Sequence, residues 1–129
     1  VPIKVKIVLD SDGNKVCEIS VAQFIYFDSR ETRSIHWQLI DDGPASDGRF
    51  VFGHTDAQRD GIEFELDVDA DFENESRSDD LMFKKKLRRP GVLDRAKMYY
   101  YDILVEHIPP AGARVPCEAR GPAIINRGR

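Results

Sequence analysis

The chain has 129 residues, 41% hydrophobic and 33% charged, with a formal net charge of −4. That length suits one domain able to bury its own core. The acidic balance argues against general nucleic-acid binding, which rests on a basic stripe. No stretch approaches the length of about 18 apolar residues that a membrane-spanning helix needs, and no secretory leader is visible. The expectation is therefore no nucleic-acid or membrane partner, with the cytoplasm preferred.

Alternation with a period of two begins at once. Ile3, Val5, Ile7 and Leu9 fall on one face, with Lys4 and Lys6 on the other, as a half-buried strand over 1–9 requires. Asp10-Ser11-Asp12-Gly13-Asn14 supplies turn residues, and the β-rich run 15–27 completes a hairpin. Asp10, Asp12 and Asn14 have a spacing that evokes a calcium loop. The glycine is misplaced for that loop and no glutamate stands at its twelfth position, so a plain turn is expected.

Residues 34–40 alternate again and place Ile35, Trp37 and Leu39 together, with Trp37 as a core anchor. A loop rich in Asp, Gly and Pro follows over 41–48, then strands over 49–53 and 61–66 around a polar loop at 54–60. Residues 67–80 carry seven acidic residues against one arginine and read as a hydrated loop. The basic run Lys84-Lys85-Lys86-Leu87-Arg88-Arg89 reads as a solvated face, because stacking aromatics do not interleave with it. Arg88-Arg89-Pro90-Gly91 reads as a turn.

The clearest strand spans 97–107. It sets Tyr99, Tyr101, Ile103 and Val105 on one face and Met98, Tyr100, Asp102 and Leu104 on the other. Pro109 and Pro110 break it, and 115–126 can return as a final antiparallel strand. About seven or eight short strands without a helical period predict an all-β, antiparallel two-sheet sandwich, immunoglobulin-like, as one domain over 1–129.

Cys17 and Cys117 suit either two reduced thiols or one long-range disulfide. Reduced thiols are preferred, since nothing else in the sequence indicates an oxidising compartment. His36, His54 and His107 are dispersed, and Cys117 lacks the neighbours of a copper loop. No cofactor or metal is expected.

The C-terminal hairpin carries the candidate chemistry. Folding back around 109–113 brings Lys97 within a few residues of 121–125, near the Gly121-Pro122 peptide bond. Alternation puts Lys97 and Asp102 on opposite faces, so both can address that bond only across a bulge.

The tyrosine-rich strand from Lys97 through Tyr99, Tyr100, Tyr101 and Asp102, followed about twenty residues later by Pro122-Ala123-Ile124-Ile125-Asn126, resembles the C-terminal signature of the DP-EP family. These are small bacterial β-sandwich proteins associated with self-cleavage and self-assembly. The resemblance implies cleavage before Pro122 at an Asp-Pro bond, capture of the freed aspartate by Lys97 as an amide, and Asp102 as a general base. This chain has Gly121 where the pattern has Asp, so internal attack and that crosslink lose their side chain. An intact or poorly cleaving chain is expected. The alternative is a noncatalytic module that assembles with itself through a C-terminal edge strand.

Overall fold

A computed structural model describes residues 2–28, 31–55, 59–65, 71–74, 81–87 and 97–127. Its twelve strands form an all-β sandwich of two packed sheets and one short hairpin. The first sheet has the order β2 (Lys15–Ser20), β1 (Pro2–Leu9), β4 (Ser34–Ile40), β10 (Met82–Leu87), β9 (Phe72–Asn74). The second runs β3 (Phe24–Phe27), β12 (Val115–Asn126), β11 (Lys97–Ile108), β5 (Arg49–Phe52), with β8 (Ile62–Phe64) also on β11. Strands β6 (His54–Thr55) and β7 (Arg59–Asp60) pair as the hairpin.

The sheets are mixed, which corrects the antiparallel expectation. β1 pairs β4 in parallel, and β3 pairs β12 in parallel. A parallel pair needs a crossover. Here the run 15–27 supplies it by dividing: β2 stays beside β1, while β3 crosses to the second sheet before the chain returns as β4. The first turn closes as expected, Asp10 Oδ1 accepting from the Asp12 and Asn14 amides at 2.9 Å each.

The basic run around Lys84 is also corrected. Its first part is β10, and Phe83, Lys85 and Leu87 turn inward. Lys85 is buried with its ammonium 5.4 Å from the Phe64 ring centre and 5.7 Å from that of Phe83, cation–π contacts that offset part of its desolvation. The acidic segment contains β9 at 72–74. The other acids at 67, 69, 75, 79 and 80, and the turn at 88–91, lie outside the described residues.

The core joins Ile3, Val5, Ile35 and Leu39 of the first sheet to Phe50, Phe52, Ile103, Val105 and Ile124 of the second. Trp37 is fully buried and meets Tyr101 edge-on at 5.4 Å and Phe64 at 6.4 Å. Such pairs add about 0.5–1.5 kcal/mol beyond burial. The Trp37 Nε1 and Tyr101 hydroxyl groups are both buried without a hydrogen-bond partner. Burial raises the Tyr101 pKa, and the nearby indole N–H lowers it only in part, without reaching hydrogen-bond geometry.

Tyr101→Phe is therefore expected to leave the melting temperature unchanged or raise it, because an unmet buried hydroxyl costs about 1–3 kcal/mol. A clear fall would reveal a partner for that oxygen. Tyr99 is raised too, by burial first and then by the hydrogen bond and charge of Asp71. Both phenols hold their protons more tightly when folded than when unfolded. Their contribution to stability is accordingly full below about pH 10 and declines above it, as the unfolded chain ionises first. A melting series from neutral to strongly alkaline pH tests this, and Tyr99→Phe should flatten the decline.

Candidate functional site

The residues expected at the hairpin lie along one strand pair but do not converge on one bond. Lys97 stands opposite Asn126, and Asp102 opposite Arg120. Between Tyr100 and Asp102 the register slips, so that Gly121 and Pro122 together oppose Tyr101. This is a β-bulge on β12, and Gly121 takes φ +95°, the backbone form in which a glycine leads such a bulge. The Gly121-Pro122 bond therefore lies within the irregular step of the hairpin.

Lys97 does not face that bond. Its Nζ donates to Asp71 Oδ2 at 3.1 Å, and the Tyr99 hydroxyl donates to the same oxygen at 2.9 Å. The Lys97 ammonium also sits 5.1 Å from the Tyr99 ring centre. Asp71 thus ties the start of β11 to the turn before β9. Asp102 is partly buried, and its Oδ1 is inaccessible and without a hydrogen-bond partner.

A second cluster escaped the sequence reading. The side chain of Lys15 is only 3% exposed, and its Nζ lies 2.9 Å from Asp41 Oδ1, itself on a side chain 11% exposed. This contact is an ion pair outside hydrogen-bond geometry. Lys15 Nζ also donates to the Gly48 carbonyl at 2.8 Å, and its backbone N–H donates to Asp47 Oδ2 at 3.0 Å. Asp41 Oδ2 accepts from the Phe50 amide at 3.0 Å. Gly48 adopts φ +87°, and a Cβ there would collide with the Ile108 carbonyl oxygen. His107 Nε2 lies 2.7 Å from the Asp47 carbonyl oxygen, and its ring stacks on Phe50 with centres 4.4 Å apart. A shallow depression of about 510 Å³ opens beside Lys15, Asp41, Gly48 and Ile108. Lys15 and Asp41 lie on separate segments, and no spacing rule joins them.

The third feature is a surface. Phe24, Ala123 and Tyr100 form one cross-strand row of the second sheet, and Tyr26, Ile125 and Met98 form the next. Paired residues share a face, here the outer one. Phe24 and Tyr26 are 54% and 55% exposed, and Tyr100 and Met98 are exposed beside them. The Arg127 guanidinium caps the Tyr26 ring at 5.3 Å. The run Phe24-Ile25-Tyr26-Phe27, apolar on both faces, carried the sequence signal for this patch.

Cys17 and Cys117 form a disulfide, Cα atoms 5.4 Å apart, which corrects the expectation of reduced thiols. The bridge fastens β2 of the first sheet to β12 of the second. Two strands with no mutual ladder brought the sulfurs together, a juxtaposition that strand alternation does not encode. Among the described residues no group of three or more His, Cys, Asp or Glu could hold a metal ion, and no helix is long and apolar enough to cross a membrane. No protein-family model matches the chain, and no curated protein sequence matches it either.

Closing a loop of 100 residues stabilises through the unfolded state. Reduction, or the paired change Cys17→Ser and Cys117→Ser, is expected to lower stability by about 2–5 kcal/mol. Urea unfolding with and without reductant measures it, and superimposable curves would contradict the bridge.

Proposed function

We propose that this domain is a noncatalytic interaction module that assembles with further copies of itself through the β3 edge of its second sheet. The observation that carries the reading is the aromatic face beside that edge. β3 ends the strand order, and Phe24-Ile25-Tyr26-Phe27 contains no charge or proline. Edge strands of monomers are usually guarded by lysines, prolines or bulges. Pairing of two β3 strands about a two-fold axis would extend the sheet across both copies and set the two aromatic faces side by side. β3 forms the edge beside 123–126, where it covers β12, and among the described residues β12 itself has β11 as its ladder partner over 115–120. The disulfide fits a compartment where thiols are not kept reduced.

Sedimentation velocity over a wide concentration range is expected to show monomer passing to dimer. The double change Phe24→Lys and Tyr26→Lys should leave a monomer with nearly the original melting temperature, since both side chains are already half exposed. A wild-type chain that stays monomeric at the highest concentration would exclude the reading.

The second reading is the self-processing suggested by the resemblance to the DP-EP family. It is favoured by the buried, unpartnered Asp102 Oδ1 one register step from the Gly121-Pro122 bulge, where a carboxylate could activate water. Lys97, paired with Asp71 and opposite Asn126, gives no support to a crosslink at position 121. Under the assembly reading, the denatured chain keeps its full length after prolonged incubation from mildly acidic to neutral pH. Release of residues 122–129, abolished by Asp102→Asn, would replace assembly with self-processing.

A further inference from the structure

Lys15 Nζ and Asp41 Oδ1 meet at 2.9 Å with both side chains shielded from solvent. We propose that Lys15 Nζ and Asp41 Cγ join as an intramolecular amide, a covalent staple from the start of β2 to the segment that follows β4.

Both side chains are almost wholly removed from water and meet at 2.9 Å. Each is fixed by backbone: the Gly48 carbonyl holds the nitrogen, and the Phe50 amide holds the far carboxylate oxygen. Asp47, through the Lys15 amide, anchors the base of the lysine. Reactants fixed in this way gain the large effective concentrations of intramolecular reactions. The Lys15 nitrogen approaches Asp41 Oδ1 outside hydrogen-bond geometry, so the contact is not a settled donor–acceptor pair.

The steps balance without an added reagent. One proton passes from the Lys15 ammonium to Asp41 Oδ1, leaving a neutral amine and a carboxylic acid. The amine attacks Cγ, and negative charge gathers on Oδ2. That oxygen already accepts the Phe50 N–H, which serves as an oxyanion donor. A second nitrogen proton moves to Oδ1, the Cγ–Oδ1 bond breaks, and water leaves through the open depression beside Lys15 and Asp41. The C–N bond remains as an amide.

The driving force is the removal of two buried charges. A buried ion pair bears a desolvation penalty that its own attraction need not repay, and a neutral amide has no such charges to desolvate. The staple would act where the fold also places its disulfide. Cys17 follows Lys15 by two positions, so β2, an edge strand, would be tied at one end to its own sheet and at Cys17 to the opposite sheet.

The test is the mass of the full chain, denatured and with its disulfide reduced. The chain is expected to be lighter than its sequence by one water, with proteolysis yielding a branched peptide that joins Lys15 to Asp41. Lys15→Arg keeps a cation for Asp41 and should restore the full mass. Asp41→Asn should lose one ammonia instead, because the amide nitrogen then leaves. A wild-type mass equal to the sequence after long incubation overturns the proposal and leaves a plain ion pair. So does a water loss that persists in Lys15→Arg or reverses in mild base. That behaviour belongs to a succinimide at an Asp-Gly pair such as Asp42-Gly43.

Discussion

The ladder that β11 makes on both of its sides holds the second sheet together. β12 lies along one side of it, and β8 and β5 follow one another along the other. Buried backbone N–H and C=O groups must be paired, and a central twelve-residue strand can satisfy its own only if three other segments arrive in register. Its inward side chains Tyr99, Tyr101, Ile103 and Val105 then join the core wall. The bulge at Gly121-Pro122 belongs to the same constraint. One extra residue on β12 opposite Tyr101 keeps Ile124 inward while the strand continues as the partner of β3.

The two edge strands on this side of the molecule are treated differently. β2 carries Cys17, bridged to Cys117, and Lys15, held by Asp41 and Gly48. Among the described residues β3 pairs with β12 alone, and its outer face is aromatic. Those ties restrain how far β2 can move, whereas the outer residues of β3 carry neither a lysine nor a proline of the kind that blunts an edge. The net charge of −4 opposes association at long range. The patch itself is uncharged apart from Arg127 against Tyr26, so attraction there is short-ranged and depends on burial.

Strand alternation was legible where a strand buries one face with residues of one kind. Ile3, Val5 and Ile7 in β1, and Ile35, Trp37 and Leu39 in β4, are inward as their spacing implied. β10 was hidden because Lys85 occupies an inward position, where a period-two reading looks for an apolar residue. Parallel pairing was hidden for a different reason. Alternation fixes which face of a strand is buried and says nothing about its neighbour, so 15–27 read as one arm of a hairpin although β2 and β3 belong to different sheets. The same limit concealed Lys15 with Asp41 and left a Cys17–Cys117 bridge as one of two alternatives, contacts set by where segments cross. The hairpin of β11 and β12 was legible because its strands are consecutive and joined by a short break, leaving only the bulge unread.

The bulge bears on why position 121 is glycine. The space around a Cβ there is open, so an aspartate would meet no steric obstacle. The obstacle is conformational: φ +95° is a form that L-residues reach at a cost of about 1–2 kcal/mol, aspartate and asparagine more readily than most. An aspartate before Pro122 would thus carry backbone strain at the bulge. Glycine holds the bulge without that strain and without a carboxylate to attack from within.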